Sequence, residues 1–150
     1  MANTYTRLLY HCVWSTKDRS PIIHEKIESK VWAYLAGIAQ RNKIHAIRIG
    51  GIENHVHLLI EIPKTMAVAE AIKQLKGGSS LWINSENLTN AHFAWQDGYS
   101  AFTVSPSAIP DVVKYIANQR EHHRHKTFED EYRSFLEKHG VDFDEAYVFG

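Results

Sequence analysis

An α+β fold built on an antiparallel sheet in the order β-α-β-β-α-β, the ferredoxin-like split arrangement, is what this sequence predicts, with helices on one face and a tyrosine-bearing helix toward the C-terminus. Three observations predict it. Stretches rich in β-branched and aromatic residues recur four times along the chain. Helical periods separate the first stretch from the second and the third from the fourth. The second and third stretches are joined by only Glu53-Asn54, which calls for a hairpin.

Residues 4–14 are dense in strand-forming types, and the loop chemistry from Ser15 to Pro21 ends a first strand near Trp14. From Glu25 to Arg41 the apolar residues Ile27, Val31, Trp32, Tyr34, Leu35 and Ile38 recur at helical spacing, and Asn42 suits the helix end. Residues 44–52 and 55–62 are the hairpin strands, the second stopped by Pro63. Thr65 can cap a helix starting at Met66 that turns Val68, Ala69, Ile72 and Leu75 inward, with Gly77-Gly78 as a point of kinking. Phe93-Ala94-Trp95 and Tyr99 to Val104 read as the last strand region. Pro106 and Pro110 then introduce a helix running through Tyr115 and Gln119, and a last helix over 128–139 ends at Gly140.

At 150 residues the chain predicts one domain, 1–150, with a single core. Seventeen basic residues balance seventeen acidic ones, so there is no global basic excess of the kind duplex binders show, only local basic faces. Acid concentrates toward the C-terminus at Glu129, Asp130, Glu131, Asp142, Asp144 and Glu145. The single cysteine, Cys12, allows no internal disulfide and reads as a small strand hydrophobe. With no signal-like start and no apolar run near the ~18 residues of a membrane span, a cytoplasmic protein without membrane contact is expected.

Two motifs carry chemistry. In Asn54-His55-Val56-His57-Leu58-Leu59-Ile60-Glu61-Ile62, strand alternation puts His55 and His57 on one face and Val56, Leu58, Ile60 and Ile62 on the other. Residues two apart on a strand are roughly 6.5 to 7 Å apart at Cα, so two imidazoles there can converge on one cation, or simply hydrogen-bond to neighbours. In Asp111 to Gln119, helical geometry places Tyr115 and Gln119 on one face, one turn apart. A phenol with a pKa near 10 is a poor nucleophile at neutral pH, and a cation beside a phosphodiester would favour phenolate. Gln119 can offer an amide oxygen as a third ligand, leaving room for phosphate oxygens and water, which suits Mg²⁺ or Mn²⁺.

On these motifs the chain resembles the single-tyrosine HUH transposases of small bacterial insertion sequences, IS200-like enzymes that act on single-stranded DNA. His-Val-His-Leu-Leu-Ile at 55–60 is similar to the family's histidine strand, and Tyr115-Ile116-Ala117-Asn118-Gln119 to its tyrosine helix. Ser15-Thr16-Lys17, Leu75-Lys76-Gly77-Gly78-Ser79-Ser80, residues 93–99 and residues 101–105 extend the likeness. The resemblance implies His55, His57 and Gln119 as metal ligands, Tyr115 as nucleophile, a 5′-phosphotyrosine intermediate at hairpin ends, and no nucleotide cofactor. It also implies a homodimer in which one subunit's tyrosine helix can complete the other's histidine site. Asn54 stands where many relatives have aspartate, replacing a carboxylate beside the first histidine by an amide. Asn118 before Gln119 favours the mobile-element branch over the domesticated relatives, which commonly read Asn-Pro. The alternatives are a domesticated protein that binds hairpin DNA without transposing it, and a replication initiator or relaxase of the same chemistry.

Lys17, Arg19, Arg41, Lys43 and Arg48 are candidates for phosphate contacts. Roles for His11, His122, His123 and His125 stay open, with a solvated helix end favoured for the last three.

Overall fold

The computed structural model describes residues 2–150. At its centre is a four-stranded antiparallel sheet of β1 (Leu9–Ser15), β2 (His45–Ile52), β3 (His55–Glu61) and β4 (Ser100–Thr103), in spatial order β2-β3-β1-β4. Helices α1 (Glu25–Arg41) and α2 (Val68–Ser85) are the crossovers, each carrying the chain past one intervening strand. This is the α+β arrangement that the spacing of elements predicts.

Alternation along the strands sorts the residues. Cys12 and Trp14 of β1 and Val56, Leu58 and Ile60 of β3 are buried against Val31, Leu35 and Ile38 of α1 and Ile72, Leu75 and Ile83 of α2. His11, Val13, His55, His57 and Leu59 occupy the opposite face, with Val13 paired to His57 and His11 to Leu59. A one-residue slip of β3 would exchange the two sets, driving the imidazoles into the core and the aliphatics out of it. Each buried aliphatic is worth about 1.5–3 kcal/mol, so the core packing itself sets where the histidines point. Burial raises the Cys12 thiol to about 12, leaving it an inert core residue.

The histidine face is covered by α3 (Ile109–Ala117), α4 (Gln119–His122) and α5 (Phe128–Lys138). A second cluster of Val13, Phe102, Phe128, Tyr132 and Leu136 holds α5 there. The crossover helices share one face as expected, and the tyrosine-bearing helix lies on the other.

Boundaries depart from the sequence reading where no partner is available. The first strand begins at Leu9, not Thr4, since among the described residues no strand pairs with those before Leu9, and Tyr5 is exposed. Helix α2 begins at Val68 behind a turn closed by the Met66 amide on the Pro63 carbonyl, and Thr65 does not cap it. Gly77-Gly78 does not interrupt α2. A Cβ at Gly78 would lie 2.9 Å from Ile38 Cδ1, so this glycine lets α1 and α2 approach closely. The last strand is Ser100–Thr103 alone, and residues 93–95 add only the Thr16–Trp95 bridge. The tyrosine helix is broken at Asn118 (φ −100°, ψ 21°), so Gln119 opens a new helix. Among the described residues no helix is long and apolar enough to cross a membrane.

Candidate active site

Strand β3 presents His55 and His57 with no exposed surface on either. Asn54 Oδ1 lies 2.8 Å from His55 Nδ1, so an amide oxygen orients that ring. On the neighbouring strand, His11 Nε2 is 2.8 Å from His57 Nδ1. Gly50 of β2 lies opposite His57 in the register. A Cβ at that position would come within 2.9 Å of the Ile116 carbonyl oxygen, so glycine is what lets α3 settle on the sheet. That close approach brings Tyr115 over its own chain's His57, ring centroids 5.7 Å apart. Gln119 is buried with its Oε1 3.0 Å from His55 Nε2. Helix α4 is fixed by Arg120, which donates to Glu53 at 2.8 Å and to Glu28 at 2.9 Å. The four residues singled out by the motifs, His55, His57, Tyr115 and Gln119, therefore meet at one place despite the break at Asn118.

Two more residues stand among them that the sequence reading left in an acidic tail and at a solvated helix end. Glu131 of α5 is 1% exposed, and its Oε1 lies 2.9 Å from His57 Nε2, 3.4 Å from His55 Nε2 and 3.3 Å from His123 Nε2. Its Oε2 accepts a hydrogen bond from the Tyr115 hydroxyl, which is also 3.2 Å from His122 Nε2. His123 Nε2 is 3.0 Å from Gln119 Oε1. The ligand atoms of His55, His57, His123 and Glu131 all lie within 4.8 Å of one another. The sequence does hold a signal for Glu131: it sits in the apolar stripe of α5, beside buried Phe128 and Tyr132, where a carboxylate needs partners. His123 follows α4 with no comparable signal, and His125 is exposed.

Burial and charge set the protonation pattern. Burial opposes the Glu131 anion, but hydrogen bonds with His123, His55 and His57 outweigh it and hold the carboxyl well below its usual range. Burial lowers His55 to about 4, against the pull of Glu131, and lowers His11 to about 3 with help from His57. His123 is raised instead, burial being overcome by its bond to Glu131. Burial, and then the charge and hydrogen bond of Glu131, push the Tyr115 phenol far above its ordinary value. As the side chains stand, the phenol keeps its proton. Three imidazoles, an amide oxygen and a carboxylate form a donor set that a divalent cation fits, and positive charge there would oppose the elevation of the phenol.

Tyr115 is half-buried and lines a cleft of about 580 Å³ between β4, α3 and α5, with Lys126 and Lys138 along it. The five basic residues proposed from sequence do not gather at that cleft. Arg41 and Lys43 precede the end of β2 that pairs with Glu61, whereas His55 pairs at the other end. Arg48 is exposed within β2. Lys17 is exposed just beyond Ser15, which pairs with His55. Arg19 is 3.8 Å from Glu129 and lies 4.7 Å over the Phe149 ring.

Residues 4–119 match the family model described as "Transposase IS200 like". The ISDra2 transposase TnpA of Deinococcus radiodurans is 27% identical over 120 residues, covering 77% of this chain and 86% of its own length. The transposase for insertion sequence element IS200 of Salmonella typhimurium is 27% identical over 127 residues, covering 81% and 82%. In fold, a crystallised chain described as a transposase from Deinococcus radiodurans superposes with TM-score 0.63 at 24% identity, covering 79% of this chain and 95% of its own. A REP-associated tyrosine transposase bound to a REP hairpin does so with TM-score 0.58 at 10% identity, covering 82% and 73%. With the family pattern spanning both motifs and the sheet that brings them together, the chain belongs to the IS200-like transposase family.

Proposed function

We propose that residues 1–150 act as one domain that cuts and rejoins single-stranded DNA at hairpin-marked ends, with Tyr115 as nucleophile and His55, His57 and Gln119 as ligands of a divalent cation, Mg²⁺ or Mn²⁺. One observation carries this reading: a tyrosine hydroxyl, two imidazoles and an amide oxygen converge from α3, β3 and α4 in one buried spot. When bound, the cation would favour phenolate over phenol and offset charge developing on the phosphoryl oxygens.

In the proposed reaction the Tyr115 oxygen bonds to phosphorus and the P–O3′ bond breaks. The leaving 3′ oxygen takes a proton, giving a 5′-phosphotyrosine and a free 3′-hydroxyl. A second 3′-hydroxyl then attacks the phosphotyrosine and releases Tyr115 as the strands rejoin. Each phosphodiester is exchanged for a covalent linkage to the chain, so no nucleotide cofactor enters. The cleft along α3 offers a single strand its path to the hydroxyl, and Lys126 and Lys138 offer charge for phosphates. The REP hairpin in the solved neighbour supports a hairpin partner here.

A homodimer acting in the cytoplasm belongs to the same reading. The break at Asn118 gives α3 a point about which it could pass to a second protomer and complete that protomer's histidine pair. Incubation with hairpin-ended single-stranded DNA and Mn²⁺ should leave a denaturation-resistant protein–DNA adduct, absent with Tyr115→Phe. Loss of the adduct in wild type with hairpin binding retained would favour the non-cutting alternative, and an adduct that survives Tyr115→Phe would sink the nuclease assignment.

A further inference from the structure

The sequence motifs supply two imidazoles and an amide, a set that leaves oxygen-loving Mg²⁺ a candidate. The folded chain surrounds those groups with more donors, and their hydrogen bonds fix which atoms point inward. His55 Nδ1 faces Asn54 Oδ1 at 2.8 Å, and His123 Nδ1 faces the Lys126 carbonyl oxygen at 2.7 Å. Both oxygens only accept, so Nδ1 of each ring carries a hydrogen, and Nε2, which faces the acceptors Gln119 Oε1 and Glu131 Oε1, is the atom that holds either a second proton or a cation. His57 Nδ1 is likewise engaged, 2.8 Å from His11 Nε2, which accepts when His11 carries its hydrogen on Nδ1.

All three Nε2 atoms are directed at one carboxylate oxygen, Glu131 Oε1, at distances of 3.4, 2.9 and 3.3 Å for His55, His57 and His123. Three Nε2 atoms around one buried anionic oxygen need positive charge among them, supplied by protons or by a cation. A proton serves one pair, whereas a single cation serves all four. With metal–ligand bonds of about 2.0–2.2 Å, neighbouring ligand atoms of one coordination shell come to roughly 3.0–3.4 Å apart, close to the three distances to Glu131 Oε1. Each ring's remote nitrogen is held by another group, the arrangement that orients imidazoles around a metal.

We infer that His123 and Glu131 join His55, His57 and Gln119 around one transition-metal centre, and that its resident cation is of the Mn²⁺, Co²⁺ or Zn²⁺ class rather than Mg²⁺. Three nitrogens and one carboxylate suit such ions, while Mg²⁺ prefers oxygen and retained water. Glu131 is delivered by a helix with its own anchorage. Thr127 caps α5 by accepting from the Asp130 amide, Phe128 and Tyr132 are buried, and Phe149 lies between Arg19 and Arg133 beside it. Through its second oxygen, Glu131 also ties the Tyr115 hydroxyl to the centre.

This inference rests on the metal-dependent reading of the same site and extends its ligand set to residues beyond the stretch that matches the family model. The test is equilibrium titration of the metal-stripped full chain with Zn²⁺, Co²⁺, Mn²⁺ and Mg²⁺, followed by calorimetry and, for Co²⁺, by visible absorption. One ion per chain is expected, with Zn²⁺ and Co²⁺ bound about 100-fold or more tighter than Mg²⁺. Glu131→Gln and His123→Ala should each weaken Co²⁺ binding by about tenfold or more and alter the visible absorption of the bound Co²⁺. If Glu131→Gln does not fold, Glu131→Asp and His123→Ala are judged by the same two readouts. Binding by both variants within about threefold of wild type, with an unchanged spectrum, overturns the inference. So does Mg²⁺ binding as tightly as Zn²⁺. Neither result touches the nuclease reading, which stands or falls on the Tyr115 adduct.

Discussion

His11 shows how strongly a single buried side chain in this site couples to pH. Its folded-state pKa is lowered from 6.5 to about 3, so as pH falls the unfolded chain takes up the extra proton first. Its contribution to stability is therefore complete above about pH 6.5 and is lost as pH drops toward 3. His55, lowered to about 4, acts in the same sense over the upper part of that window. Glu131, held below its ordinary range, contributes above about pH 4.5 and loses that contribution below it. His123 runs the other way, its pKa being raised, and gives up its stabilisation as pH climbs past 6.5. Between pH 7 and pH 5 the loss from His11 is about 2 kcal/mol, enough to lower the melting temperature of the metal-free protein by several degrees. Calorimetry of the metal-free chain across that range should show the fall, and His11→Asn should make it shallower, leaving the part that His55 contributes. An equally steep fall in the variant would mean that His11 is not its source.

At the scale of elements, two glycines in different settings should respond oppositely to the same substitution. A Cβ at Gly50 would lie 2.9 Å from the Ile116 carbonyl oxygen, so Gly50→Ala should push α3 off β2, cost about 1–3 kcal/mol and lower the yield of the Tyr115 adduct. Gly77 has open space around its Cβ position within a helix, so Gly77→Ala should raise stability by about 0.5–1 kcal/mol and leave the adduct unchanged. Thermal melting and the adduct assay, run on both, check the pair. Helix α5 was legible as a last helix stopped at Gly140, and its bounds over Phe128–Lys138 nearly match the expected 128–139. Its chemical contribution was not, because Glu131 reads in sequence as one acid among several. The signal that separates Glu131 from exposed Asp130 is its place in the apolar stripe of α5, beside Phe128 and Tyr132.

For the whole molecule, the described chain holds Tyr115 beside its own His57, while the proposed dimer allows a second chain to supply the tyrosine. Mixing His57→Ala with Tyr115→Phe protomers discriminates between them. Recovery of the adduct in the mixture is expected if tyrosine helices are exchanged, and its absence would mean that each protomer cuts with its own tyrosine. The alternation of aliphatics with His55 and His57, the helical period of α1 and the two-residue hairpin link were enough to determine the sheet and the face on which the histidines stand. These are local patterns, set by burial of one face against α1 and α2. The tyrosine and the glutamine were legible through their spacing, even though Asn118 breaks the helix between them. What only the tertiary structure decided is the company these residues keep. His11, His123 and Glu131 come from a neighbouring strand, the end of α4 and α5, and Glu131 lies 74 residues from His57 in sequence yet 2.9 Å away in space. No periodicity encodes such a meeting, because it is fixed by where α5 packs on the sheet and by the need of a buried carboxylate for partners.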